Sequence, residues 1–137
     1  MGPDIFDTHV DGAVLISSAF AQARTSGKQV LLLVSANWCP WTRRLHSILH
    51  GTPALQRRLN ERYVLVYLDA NTRRDRQRNA SVLARLGDPQ KRFGIPVFVL
   101  LDADGKVAET RETQSIAAPD DAEVATRLSR LLLVQDD

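Results

Sequence analysis

Cysteine occurs once in the 137-residue chain, as Cys39. A disulfide within the chain is therefore excluded, and a free thiol or an intermolecular bridge remains. No apolar run approaches the roughly 18–20 residues that cross a bilayer, so no membrane partner is expected. The opening MGPDIFDTHVDG lacks the basic n-region and apolar h-region of a signal peptide. None is expected in the chain as given, and a cytoplasmic protein and a mature periplasmic form both fit. Internal repeats, low-complexity tracts and linkers are also missing. Residues 1–137 read as one domain, long enough for a single core, with residues 1–10 as a flexible N-terminal arm. With 44% hydrophobic and 25% charged residues, the composition is that of an ordinary soluble domain.

The net charge is only +2, but it is unevenly placed. Residues 38–92 hold twelve basic and four acidic side chains, and residues 93–137 hold four and nine. The bias fits either a face for an anionic partner or a solvated surface, and Lys and Arg are mostly exposed. The runs TRRDRQR (72–78) and Arg57-Arg58 carry no interleaved aromatic, so they read as solvated and no nucleic-acid partner is expected. His46 and His50 stand at i, i+4, without the H-E-x-x-H pattern or a third ligand, and no metal site is expected. DADG (102–105) lacks the downstream ligands of a calcium loop and reads as a hairpin turn.

Periodicity orders the chain as α β α α β α β β α. Residues 11–26 place Val14, Leu15, Phe20 and Ala23 near helical spacing, and Gly27 stops the helix. QVLLLVS is a strand buried on both faces. Trp41, Leu45, Ile48 and Leu49 form one helical stripe, with Pro40 at the first position and Gly51 at the end. Thr52-Pro53 opens a second helix through Leu55 and Leu59. YVLVYLD (63–69) is the next strand, and a helix carrying Val82, Leu83 and Leu86 follows. IPVFVLL (95–101) and KVAET make a hairpin. A last helix presents Val124, Leu128, Leu131 and Leu132. Strands separated by helices imply a central mixed sheet flanked by helices.

VLLLVSANWCPW and GIPVFVLLDADGKV, in this order, resemble the active-site strand and loop and the cis-proline hairpin of the thioredoxin-like superfamily. ANWC and GDP…GIP are similar in particular to the longer bacterial disulfide-isomerase-like members. The resemblance implies an α/β thioredoxin-like fold, with a cis-proline before an antiparallel hairpin. It puts Cys39 at the nucleophile, Trp38 before it, and Pro96 at the proline held in cis beside the thiol. Pro40, Trp38, Ile95 and Pro96 then border the substrate, and the Ile95 backbone is left to pair with an extended peptide. Two departures stand out. The motif is C-P-W-T rather than C-x-x-C, with Thr42 in the place of the resolving cysteine. The buried acid six residues before the nucleophile is Leu33.

As helix N-cap, Cys39 would meet unpaired N–H groups that favour a thiolate, with the amide and hydroxyl of Thr42 in reach of the sulfur. An exposed, reactive thiol is the preferred reading over a small buried hydrophobe. Trp41 is expected in the core, and Trp38 partly on a peptide-binding rim. The leading functional expectation is monothiol thiol–disulfide exchange through Cys39, with Thr42 beside it. Its partner would be a cysteine-containing client protein or glutathione as co-substrate, with no bound cofactor. The alternative is a non-catalytic peptide- or protein-binding module. An iron–sulfur site of the monothiol glutaredoxin kind is weaker, because those proteins carry C-G-F-S. A monomer is expected, and a disulfide-linked dimer through Cys39 is open to it.

Overall fold

The computed structural model describes residues 3–71 and 79–133. Four strands form one mixed sheet in the order β2-β1-β3-β4, where β1 is Gln29–Ser35, β2 Tyr63–Asp69, β3 Val97–Leu101 and β4 Val107–Glu112. β1 runs parallel to β2 and antiparallel to β3, and β3 pairs antiparallel with β4. The helices are α1 (Gly12–Ser26), α2 (Pro40–Gly51), α3 (Pro53–Arg62), α4 (Ala80–Arg85), α5 (Pro89–Phe93) and α6 (Asp121–Leu133). A single 3₁₀ turn spans Gln114–Ile116. No helix among the described residues is long and apolar enough to cross a membrane.

The apolar run of β1 divides by alternation. Leu31 and Leu33 enter a core with α2, α3 and α6, through Leu45, Leu49, Leu59 and Leu128. Val30, Leu32 and Val34 enter a second core with α1 and α4, through Ala19, Ala23 and Leu83. Helices therefore cover both faces, and a strand buried on both faces loses the polar alternation of a half-exposed one. α1 is capped by Asp11, whose side chain accepts from the Ala13 N–H, and it ends at Gly27 in the left-handed conformation.

Several expectations are corrected. In α1 the fully buried residues are the small Gly12, Ala19 and Ala23, with the expected Leu15 and Phe20 packed against them half-buried, while Val14 is 60% exposed. Small side chains let the helix lie close to the sheet: a Cβ on Gly12 would stand 2.5 Å from Leu68 Cδ1. In α6 the buried set is Val124, Leu128, Leu132 and Leu133, with Leu131 at its border. α5, five residues long, was not expected, being too short to show a period. The Arg-rich run 72–78 lies outside the described residues.

The flexible arm expected over residues 1–10 is, from residue 3 on, docked. Phe6 is 1% exposed and meets the Tyr67 ring edge-to-face, with centroids 5.7 Å apart. Asn37 holds the segment in place: its Oδ1 accepts from the Ile5 and Phe6 N–H groups, and its Nδ2 donates to the Phe6 carbonyl. We expect Phe6→Ala to lower unfolding free energy by about 3 kcal/mol, measured by urea denaturation. An undisturbed midpoint would mean that the arm does not contribute to the core.

Candidate active site

The site forms where β1 ends and α2 begins. The Cys39 N–H donates to the Ala36 carbonyl at 3.2 Å, which closes the turn, and Cys39 becomes the N-cap of α2. Pro40 follows at the first helical position, exposed, where its missing N–H costs nothing. The exposed thiol expected from the sequence is not found: Cys39 is buried, at 7% exposure. Its side chain makes no capping hydrogen bond.

The Thr42 hydroxyl was expected at the sulfur, but it bonds instead to the hydroxyl of Ser35, 2.7 Å away, and both residues are fully buried. Thr42 is the third residue of α2, and Ser35 is the last of β1. Each hydroxyl thus satisfies the other in an otherwise apolar site. The place of a second thiol is filled by a group that cannot form a disulfide. Leu33, where the family's acid would stand, is fully buried among Phe98, Leu45 and other apolar side chains.

Just before the neighbouring strand β3, the Ile95–Pro96 peptide is cis and Pro96 is buried. The register pairs Val34 with Val97, which puts the end of β1 and Pro96 at the same edge of the sheet. A residue that the sequence did not single out fixes this arrangement. Thr113, 1% exposed, donates its hydroxyl to the Pro96 carbonyl at 2.7 Å and accepts from the Trp41 indole N–H at 3.1 Å. Trp41 is therefore half-buried and works as a bridge from α2 to the proline, not only as core. Arg44 lies over its ring, 5.4 Å from the centroid, and pairs with Asp121 at 2.8 Å.

Trp38 and Ile95 come together, both half-exposed, on a cleft of about 480 Å³ that also has Asp69, Asn71 and Gly94 in its wall. Cys39 and Pro96 do not line it. Arg43, the nearest cation in sequence, is engaged with the docked arm. Its Nε donates to the Asn37 carbonyl at 2.7 Å and its Nη1 to the Pro3 carbonyl at 3.0 Å. The contacts of Asn37 with residues 5 and 6, and of Arg43 with Pro3, were not anticipated because they join segments distant in sequence.

Towards the other end of α2, the rings of His46 and His50 are tilted against each other at 53°, with centroids 4.3 Å apart, and His46 meets the Tyr67 ring. The described residues contain no cluster of His, Cys, Asp or Glu fit for a metal ion. Burial first, then the charges of His50 and Arg43, hold His46 below its ordinary value of 6.5.

A mixed sheet with helices on both faces, a cysteine at the N-cap of the helix that follows β1, and a cis-proline just before an antiparallel strand form the architecture of the thioredoxin-like class of α/β proteins. The chain belongs to that family: the model of the thioredoxin-like domain matches residues 16–119. Among solved structures, the chain is similar to a disulphide isomerase from Xylella fastidiosa Temecula1, with a TM-score of 0.77 and 24% identity. That match covers 95% of this chain and 98% of the other. A structure described as DsbH oxidoreductase matches with a TM-score of 0.57 and 19% identity, over 87% of this chain and 82% of that one. At these identities the likeness shows the fold. No curated protein matches in sequence.

Two outcomes follow from the site. Ser35→Ala or Thr42→Val alone leaves one buried hydroxyl unsatisfied and should cost about 1–3 kcal/mol. The double variant should cost clearly less than the sum, as read by a double-mutant cycle. For His46, the lowered folded value means that the unfolded chain takes up the proton first. Stability due to neutral His46 is present above the ordinary value of 6.5 and is lost as pH falls below it. His46→Gln should flatten that acid-side loss, and NMR should show His46 titrating below 6.5.

Proposed function

We propose that the protein performs thiol–disulfide exchange as a monothiol. The Cys39 thiolate attacks one sulfur of a disulfide, in oxidised glutathione or in a client protein. A new S–S bond forms to Cys39, and the other sulfur leaves as a thiolate. An external thiol, such as reduced glutathione, then repeats the exchange on the adduct and regenerates Cys39, so no net oxidation of the protein is needed. The observation that carries this reading is the pairing of Cys39 at the N-cap of α2 with a hydroxyl residue, Thr42, at its third position. The first half of a dithiol cycle is supplied, and the second is missing. Backbone N–H groups of the first helical turn favour negative charge at the cap. Ile95 and Trp38 supply the rim on which an extended client would lie.

A second reading is a binding module in which Cys39 is incidental. It rests on the cleft between Trp38 and Ile95, which the thiol does not line.

Intact mass after oxidised glutathione decides between them. The exchange reading expects one stable adduct, absent in Cys39→Ser and released only by added thiol. Thr42→Cys places a thiol one helical turn from Cys39 on the same face, and resolution becomes intramolecular. This variant should shed glutathione and form an internal disulfide, slowly because Leu33 offers no carboxylate to accept the proton. A wild-type protein that takes up no glutathione, or a Thr42→Cys variant that retains it, would sink the exchange reading in favour of the binding module.

A further inference from the structure

β2 is a terminal strand, with β1 on its inner side and no strand on its outer side among the described residues. In a parallel ladder alternate residues turn both backbone groups to the same neighbour. The Ala70 N–H donates to the Ser35 carbonyl at 2.7 Å, while the register sets Ser35 against Asp69. Counted back by twos, Leu68, Val66 and Val64 face β1, and Tyr63, Leu65, Tyr67 and Asp69 face outward. At the ends of the strand these outward groups are used. The Tyr63 N–H donates to the Leu59 carbonyl, and the Asp69 carbonyl accepts from the Asn79 side chain. Leu65 and Tyr67, in the middle, have no outward backbone partner among the described residues.

A groove of about 510 Å³ follows this stretch, with Gln22 of α1 on one bank and His50, Gln56 and Asn60 of α2 and α3 on the other. Lys28 lines it and no carboxylate does. An adjoining hollow shares Lys28, Gln56 and Asn60 and is lined also by Arg57 and Glu61, two cations against one carboxylate. The edge therefore offers unpaired backbone, apolar surface from Val64 and Leu65, amide side chains, and a positive rim.

We propose that this edge binds an extended, acidic segment of a partner protein, which adds as a further strand beside β2. The backbone of the guest pairs with Leu65 and Tyr67, and its carboxylates lie against Lys28 and Arg57. A second copy of the chain is the poorer occupant, because it would bring the same cationic strip against itself. The surface is separate from the thiol: His50 and Cys39 lie at opposite ends of α2, roughly 16 Å apart along its axis.

The probe is a blocked, cysteine-free peptide, Thr-Val-Asp-Val-Asp-Val-Thr, with two controls. One control replaces Asp with Lys, and the other is N-methylated at alternate amides. Anisotropy should show the acidic peptide binding the full chain, the lysine peptide binding more weakly, and the methylated peptide failing. Amide exchange should slow at Leu65 and Tyr67 in the complex. Lys28→Glu should weaken binding by about fivefold or more, and Lys28→Gln by less. Cys39→Ser should change nothing, which separates this result from the fate of the exchange reading. Equal binding of acidic and basic peptides, no binding of either, slowed exchange elsewhere than β2, or a dimer closed through this edge would each overturn the proposal.

Discussion

Burial of β1 on both faces is the constraint from which the site follows. Two helical layers must close over one strand, so the chain has to leave the end of β1 and turn directly into α2 above it. That turn puts Ser35 under the first turn of α2 and Cys39 at its cap. The same strand sets the position of Pro96, because Val34 and Val97 are register partners. The chemistry of the site is thus arranged by packing several residues away, and only its last adjustments are made by polar contacts.

Those adjustments tie polar groups of different elements together. Ser35 and Thr42 share a hydrogen bond, Thr113 both accepts and donates, and Asn37 spends its amide on residues 5 and 6. A buried network of this kind specifies one geometry, since any shift leaves a group unpaired at a cost of about 1–3 kcal/mol. Cys39 stands among these contacts without a capping bond of its own, so its sulfur is positioned by its neighbours rather than tethered to them.

What could be read from the residues divides along sequence separation. The β1 run, the apolar stripe of α2, the Pro40 start and the Gly27 stop are local signals, and each is found where it was expected. On α1, Leu15, Phe20 and Ala23 face the core as expected, but Val14 does not and the buried Gly12 and Ala19 were not seen, because periodicity counts large residues. Phe6 bonds to Asn37 across 31 residues, and Thr113 joins Pro96 to Trp41 from a third element. No local pattern marks such pairs. The family resemblance located Cys39, Thr42 and Pro96 but assigned the Thr42 hydroxyl to the sulfur. Ser35, an unremarked residue at the end of a strand, takes that hydroxyl instead.

The Asn37 contacts have a practical side. Residues 3–6 are bonded to the very loop that presents Cys39, with Arg43 reaching from α2 to the Pro3 carbonyl. The segment is thus tied on both sides of Cys39, to Asn37 before it and to Arg43 after it. An affinity tag fused at the amino end, or removal of the first ten residues, would therefore act on the loop that leads into α2 as well as on solubility.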